Sequence, residues 1–415
     1  MLTGAGNCRL AFACQTQIMK KPFFHFIFIT AIGLNSCVLS KNSTFSNEEI
    51  EDNEFLVYLI DEYPQGQQLV FYDPASNSHT QILADWDITE FSLSKNRRLA
   101  FSSVRDGHSK IYVLDYPFAE NTPLEIAPDT PAENTPISWS PDGTLLLFDS
   151  VQTNSKKILV WNGERIFDIY EYHEQVSEVA WSPSGQLAFT DFYTFILPHD
   201  GDTSEVFIWN SKTTVNVSQN PSGNDRSPAW SKDGQLAFLS ERNGECDIFV
   251  WDGTSINNGA PDVKTYLNIA PELTQYFSSP TWTNTNTIAF IGGSASDKHV
   301  QIYEWNGQSA KNISQSPLFH NGGQTWGDDG YWAFTTFFSS VQNLYIRDNN
   351  NQTVLETKGQ YQPAWSTNGL LIFCVPEHPN WTLSMWNSKA IVEIAHGNLI
   401  TAKWANGEYV LCSNG

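Results

Sequence analysis

The sequence predicts an all-β protein, a β-propeller built from four-stranded antiparallel blades. A marker motif recurs along the chain, each copy is followed by the same kinds of apolar strand, and no long amphipathic helix is visible. The motif is Trp-Ser-Pro-Asp-Gly at Trp139–Gly143, with close copies at Trp181–Gly185 and Trp230–Gly234. A repeat of about 40–50 residues made of short strands is typical of propellers.

The marker residue ends the first strand of each unit. Looser copies of the motif begin at Trp282, Trp326, Trp365 and Trp404, and Leu93 takes the Trp position in a degenerate copy. The Asp-Gly, Ser-Gly or Asn-Gly pair that follows predicts a tight turn, because Gly and Asn adopt positive φ at low cost.

Three further strands follow each turn. The third strand of the unit is β-branched and aromatic and ends in Asn or Asp, as in Ile248–Asp252. A weaker fourth strand comes next, for example Thr265–Ile269. The second strand is an apolar run that ends in Phe101, Phe148, Phe189, Phe238, Phe290, Phe334 or Phe373. Four antiparallel strands of this kind make one blade.

The two ends of the chain decide the blade count. Phe55–Ile60 and Gln68–Tyr72 read as a unit without its first strand, and Leu399–Trp404 supplies an orphan first strand. Joining them completes an eighth blade and leaves no long unpaired edge. We therefore predict eight blades, with seven as the alternative, in a single domain at 54–415. The strand Tyr409–Cys412 has no place in this scheme.

The order of these elements resembles the WD40-like repeat of TolB-type propellers over about residues 55–412. The resemblance is carried by the marker motif, the strand ending in Ala-Phe and polar turns such as Arg105–Gly107 and Arg242–Gly244. It implies the fold, but propellers of this type serve as periplasmic scaffolds, glycan-processing domains and gating domains of serine peptidases. No segment resembles the separate N-terminal domain of TolB.

The N-terminus predicts a secretory signal at 1–36. Met19 precedes two lysines and is the predicted true start, and an apolar run from Pro22 to Leu34 follows. The ending Leu-Asn-Ser-Cys resembles a bacterial lipobox, which implies that Cys37 is lipidated and becomes the mature N-terminus; a plain secretory signal is the alternative. The apolar run is shorter than the ~20 residues of a membrane span. Residues 37–53 read as a flexible tether.

Composition limits the partners. The chain has 23 Lys and Arg against 45 Asp and Glu, a net charge of −22. Such a surface repels phosphate backbones, so we predict no nucleic-acid partner. It also disfavours adsorption to anionic lipid through basic patches, which leaves the lipid anchor as the predicted membrane contact. We interpret the acidity as favouring solubility rather than as a recognition face, and we predict a monomer.

Linear catalytic signatures are absent from the sequence. There is no Gly-x-Ser-x-Gly elbow, no phosphate-binding loop and no His-Glu-x-x-His, and the nine His residues are scattered. We therefore predict no enzyme activity and no catalytic, cofactor-binding or metal-binding residue, so Cys37 is the sole predicted site residue. For Cys374 and Cys412 we favour two buried small hydrophobes, and a disulfide between them is the alternative.

The aromatic residues fall into two groups. The marker Trp residues recur once per unit, so we predict that they pack between blades. Aromatics that do not repeat are better candidates for ligand contact, because repetition does not explain them. The second group comprises Tyr170, Tyr172, Phe192, Tyr193, Phe195, Tyr276, Phe277, Phe319 and Trp381.

These features together favour one function. We expect an extracytoplasmic, lipid-anchored propeller that acts as a non-enzymatic scaffold for an unidentified protein or glycan at the cell envelope. One alternative is a polysaccharide lyase or hydrolase with its site in the central funnel. The other is a propeller that gates a separately encoded peptidase, since we find no room for a peptidase domain in this sequence.

The lipobox resemblance is directly testable at Cys37. Cys37→Ser removes the thiol that would carry the lipid, so the protein should leave the membrane fraction or accumulate unprocessed. Fractionation and intact mass of the mature protein measure this. A substituted protein that is processed and membrane-bound like the parent would show that the lipobox interpretation is wrong.

Overall fold

The computed structural model describes seventeen stretches of the chain. They contain strands, turns and bends and no helix, so none of the described residues forms a helix able to cross a membrane. The predictions for residues 1–54, Cys37 and Met19 included, lie outside them. The described residues are 55–62, 66–105, 107–126, 132–172, 175–193, 203–220, 223–242, 246–257, 260–267, 279–293, 299–315, 320–327, 329–338, 341–358, 360–377, 380–404 and 409–412.

The described strands begin with three that precede the first complete blade: β1 (Leu56–Glu62), β2 (Gly66–Asp73) and β3 (Ser78–Ile82). Blade 1 consists of β4 (Ile88–Leu93), β5 (Arg98–Arg105), β6 (His108–Asp115) and β7 (Leu124–Glu125). Blade 2 consists of β8 (Glu133–Trp139), β9 (Leu146–Gln152), β10 (Ser155–Trp161) and β11 (Ile166–Glu171). Blade 3 consists of β12 (Gln175–Trp181), β13 (Leu187–Tyr193), β14 (Thr203–Trp209) and β15 (Thr214–Asn216). Blade 4 consists of β16 (Asp225–Trp230), β17 (Leu236–Ser240), β18 (Asp247–Asn257) and β19 (Ala260–Leu267).

The remaining strands follow the same plan. Blade 5 consists of β20 (Thr281–Trp282), β21 (Ile288–Gly292), β22 (Gln301–Trp305) and β23 (Ala310–Asn312). Blade 6 consists of β24 (His320–Trp326), β25 (Trp332–Phe338), β26 (Val341–Arg347) and β27 (Thr353–Lys358). Blade 7 consists of β28 (Gln360–Trp365), β29 (Leu371–Glu377), β30 (Asn380–Trp386) and β31 (Ile391–Gly397). The last two strands are β32 (Leu399–Trp404) and β33 (Tyr409–Cys412).

The eighth blade joins the two ends of the described chain. Its sheet order is β3-β2-β1-β32-β33, while in each other sheet the order of strands follows the chain. β1 and β32 pair antiparallel over six residue pairs, from Leu56 with Trp404 to Asp61 with Leu399. The prediction of an all-β propeller with eight blades, closed by the orphan strand Leu399–Trp404, is therefore confirmed.

The first strand of each blade lies nearest the central axis. First strands of successive blades contact one another, as β4 does with β8, β12 with β16 and β24 with β28. Among the fourth strands, β3, β7 and β27 are largely solvent-facing. Exposed side chains on first strands therefore face the central channel.

Five of the marker Trp residues join their blade to the one before it. The indole N–H of Trp230 donates to Ala180 O at 3.0 Å, and that of Trp282 donates to Ala229 O at 3.0 Å. Trp139, Trp181 and Trp404 make the equivalent bond to Ser92 O, Ser138 Oγ and Ala364 O. Because a buried indole N–H must find an acceptor, these bonds fix the angle between neighbouring blades.

The turn after each marker has the geometry that the sequence predicts. Gly143 has φ +71° and its N–H donates to Ser140 O at 2.8 Å. In the degenerate copy Arg97 takes the Gly position with φ +58°, and it donates to Ser94 O at 3.0 Å. The hydrogen-bonded turn thus persists although left-handed backbone is sterically unfavourable for Arg97.

Ring closure can be tested by removing the closing strand. Deleting Leu399–Gly415 exposes the buried residues of β1, such as Leu56 and Ile60, on an open sheet edge, so the protein should aggregate or be degraded. Size-exclusion chromatography and thermal melting measure this, and deletion of residues 413–415 alone is the matched control. A truncated chain that stays monomeric with an unchanged melting temperature would contradict ring closure.

Candidate functional site

The channel-lining first strands share an irregularity close to the marker. The register shifts in blades 1, 2, 3, 4, 6 and 7, and the residues left unpaired lie two to four residues before the marker residue. Three residues before the marker stand Glu178 in blade 3, Ser227 in blade 4 and Gly323 in blade 6, with φ of +53°, +57° and +56°. Left-handed backbone at Glu and Ser is strained, and such strain is often kept where a side chain must be aimed.

These bulges build a hydrogen-bonded chain across three blades, which we call the axial clamp (Glu178, Thr190, Ser227 and Ser279). The Glu178 carboxylate accepts from Ser227 N at 2.7 Å, from Ser227 Oγ at 3.0 Å and from Thr190 Oγ1 at 3.0 Å. Ser279 Oγ donates to Ser227 Oγ at 3.1 Å. The carboxylate is engaged by its neighbours, so its chemical role is to position the first strands of blades 3, 4 and 5.

A second polar contact lies where the closing blade meets blade 1. Lys403 Nζ lies 2.6 Å from Glu90 Oε1 and donates to Phe91 O at 2.6 Å. The ammonium group also lies over the rings of Phe91 and Tyr409, 5.0 Å and 5.6 Å from the centroids. A partly buried ion pair with these extra contacts is worth more than an exposed one. Lys403 therefore fastens β32 to β4 on the channel side.

A buried polar group fastens blade 4 to blade 3. Glu205 accepts hydrogen bonds from Ser218 Oγ at 2.5 Å and from Asn220 N at 3.0 Å. Arg242 donates from Nη2 to Ser218 O at 2.8 Å, and its guanidinium lies 4.2 Å from the centroid of the Phe249 ring. The connection between β15 and β16 is thus held from both blades.

Asp225 lies within this polar group and is fully buried. Burial raises its pKa to about 6, and the charge of Glu205 adds to the rise. The Arg242 guanidinium, with Nη2 3.9 Å from Oδ1, opposes the rise. Asp225 therefore changes its charge in the mildly acidic range.

The described residues hold no group of three or more His, Cys, Asp or Glu side chains arranged to bind a metal ion. His396 comes nearest to a catalytic pattern: its Nδ1 lies 2.7 Å from Thr382 Oγ1, and Glu377 and Glu393 each approach the ring to 3.6 Å. Thr382 and His396 lie on the third and fourth strands of blade 7, away from the channel, and Thr382 is only 1% exposed. Its hydroxyl is therefore closed to a substrate.

Three of the aromatic residues expected to contact a ligand are instead packing residues. Tyr170 donates to Asp191 Oδ2 at 2.8 Å and packs on Phe189 and Phe207, and Tyr172 donates to Asp149 Oδ1 at 2.7 Å. Trp381 is buried in the core between blades 7 and 8. Phe192 is half-buried. The Tyr193 side chain, Phe195, Tyr276, Phe277 and Phe319 lie outside the description.

The two C-terminal cysteines form a disulfide, contrary to the favoured prediction of two separate hydrophobes. Cys374 lies on β29 and Cys412 on β33, with Cα atoms 5.5 Å apart. The two residues come within bonding distance because β33 packs directly on blade 7. The bond therefore ties the last strand to the preceding blade.

No protein-family model matches the chain, and no curated protein matches it. Solved structures do match in fold. Prolyl oligopeptidase B from Galerina marginata aligns with a TM-score of 0.54 at 8% identity, over 78% of this chain and 54% of that one. A puromycin-hydrolysing peptidase from Mycobacterium tuberculosis gives 0.51 at 14%, over 79% and 57%. TolB from Acinetobacter baumannii gives 0.38 at 13%, over 88% and 65%.

The similarities to the two peptidases establish the β-propeller fold, and this chain spans about half the length of each peptidase. The expectation of a non-enzymatic scaffold for an envelope protein or glycan is therefore wrong: the similar structures are hydrolytic enzymes. The alternative of a peptidase-gating propeller agrees better with them. At such low identity the similarity establishes the fold alone.

The sequence motifs did not identify the polar groups that lie around the channel. Glu178, Ser227 and Ser279 stand at one repeat position, three residues before successive markers, and aligning the units on Trp would have revealed that column. Lys403 and Glu90 are 313 residues apart and belong to different units, so no local pattern connects them.

Asp225 gives a testable pH dependence. The pKa of Asp225 is raised in the folded state, so its protonation contributes to the free energy of unfolding. This contribution is fully present below the ordinary carboxyl pKa and is lost as pH rises through about 6. Asp225→Asn should therefore flatten the unfolding free energy between pH 4 and 7 and stabilise the protein at pH 7 by up to about 3 kcal/mol. Denaturant unfolding at several pH values measures this, with exposed Asp87→Asn as control. An unchanged profile would contradict the assignment.

Proposed function

We propose that this chain is the propeller of a peptidase system and controls which peptides reach a catalytic domain carried by another polypeptide. The observation that carries the proposal is the fold similarity to two peptidases, which extends over nearly four fifths of this chain but only about half of theirs. In the proposed system, the part of the two peptidases that this chain does not match corresponds to the catalytic domain.

The geometry of the ring supports a gating role. The eight blades close through β1 and β32, and the axial clamp and the Lys403–Glu90 pair fasten first strands to one another around the channel. A ring held in this way does not open easily between these blades. Passage would therefore be limited by the width and lining of the central channel, which favours flexible peptides over folded proteins.

We place the system outside the cytoplasm, anchored through Cys37. The signal-like N-terminus motivates this proposal, and the Cys374–Cys412 disulfide supports it because structural disulfides are typical of oxidising compartments. The partner would then be an envelope peptidase, recruited to the same membrane surface.

The proposal is tested by isolating the tagged full-length protein from its native cells and treating the preparation with a fluorophosphonate probe for serine hydrolases. The isolated complex should contain a labelled polypeptide and hydrolyse short peptides, while the propeller purified alone should not. Dissociating the propeller should allow the peptidase to attack larger, unstructured proteins, because the size filter is gone.

Two results would contradict this function. One is a complex whose peptidase shows the same size preference with and without the propeller. The other is a purified propeller that depolymerises envelope polysaccharide and loses that activity with a chelator, which would instead favour a lyase.

A further inference from the structure

The C-terminal strand β33 is an addition to the blade plan. In the other described sheets the first strand is the axial edge, but in blade 8 β33 pairs with β32 on its axial side. The ladder has four residue pairs, from Ile400 with Cys412 to Lys403 with Tyr409. β33 therefore occupies a strand position next to the channel that the other described blades leave empty.

The side chains of β33 alternate between core and solvent. Val410 is 1% and Cys412 0% exposed, and both join a core cluster with Ala364, Ile372 and Cys374 of blade 7. Tyr409 and Leu411 point the other way, at 49% and 36% exposure. The slot between blades 7 and 8 thus accepts an extended segment with modest apolar side chains at alternate positions.

Ring closure does not depend on this strand. β1 and β32 close the ring through their own ladder, and Leu56, Ile60, Ile400 and Trp404 are buried there. β33 buries only two side chains, which is a small gain against the cost of ordering four residues. The disulfide to Cys374 offsets this imbalance, because it keeps the strand beside its slot.

We propose that the axial edge of β32, together with the slot against blade 7, is a binding site for an extended peptide strand, and that β33 is its built-in occupant. An incoming peptide would take over the backbone ladder of residues 400–403 and place apolar side chains where Val410 and Cys412 lie. Main-chain pairing gives such a site affinity, and the two buried positions give it selectivity. That the natural ligand is a peptidase substrate rests on the proposed function.

The disulfide sets whether the site is open. A dithiol reductant opens it when one of its thiolates attacks a disulfide sulfur and its second thiolate closes the reductant's own disulfide. Cys374 and Cys412 leave with the two electrons and take up two protons as thiols. Because both sulfurs are buried, this exchange follows local fraying of β33.

The test uses a fluorescently labelled synthetic peptide of residues 407–415 carrying Cys412→Ser, with anisotropy as the readout. Oxidised wild-type protein should not bind it. The full-length double variant Cys374→Ser, Cys412→Ser should bind it weakly, because the tethered strand competes at an effective concentration of about millimolar or more. Adding Val410→Asp to the double variant weakens that competitor, so the peptide should bind at least tenfold more tightly.

Controls separate the site from nonspecific binding and from misfolding. A peptide carrying Val410→Asp should not bind any of the proteins, and near-ultraviolet circular dichroism reports whether each ring is folded. Wild-type protein reduced with a phosphine provides the open state without substitution. Carboxypeptidase trimming, followed by intact mass, should pass through residues 409–412 in the double variant and stop at Cys412 in the oxidised protein.

Two results would overturn the strand site. One is folded, reduced or substituted protein that fails to bind the peptide. The other is oxidised wild-type protein that binds it equally well. Both measurements use the purified chain alone, so they stand whether or not a peptidase partner is found. Peptide binding with no peptidase in the native complex would keep the strand site and refute the proposed function.

Discussion

The pairing of β1 with β32 is the contact on which the ring depends. Each blade buries its faces against two neighbours, so a ring broken at this point would expose apolar faces on two blades. Four large side chains at the seam, Leu56, Ile60, Ile400 and Trp404, are buried. At about 2 kcal/mol for each, their burial is comparable to the 5–15 kcal/mol net stability of a folded domain. Strands from the two ends of the described chain supply this contact.

The fold could be predicted from the sequence because every blade solves the same packing problem with the same residues. The marker Trp reaches a first strand of the preceding blade, and in several blades it meets a second Trp edge-on, as Trp230 meets Trp251 at 6.1 Å. A constraint repeated in this way leaves a periodic record. The turn after the marker is retained even in the degenerate copy, where Arg97 adopts the left-handed backbone conformation that Gly has in other copies.

The polar contacts around the channel and the disulfide could not be predicted from the repeat, because they join residues of different units. Glu178 is aimed by a bulge, and its partner Ser227 belongs to the next blade, so the contact exists only after two units have packed. Lys403 finds Glu90 only when the ring has closed. β33 has no counterpart in the other units, so periodicity assigns it no position, and the sequence offers the Cys374–Cys412 disulfide only as an alternative. Asp225 reads as an ordinary acidic residue until its burial is known.

The same distinction bears on function. Residues that repeat are occupied by turns and interblade packing, so they carry no information about what passes through the ring. Several features on the axial side are not shared by every unit: the Glu178–Ser227 contact, the Lys403–Glu90 pair and the added strand β33. These departures lie at two places on the axial side, between blades 3 and 4 and where blade 8 meets blade 1, so they distinguish the lining of the axis from the repeating interfaces between blades.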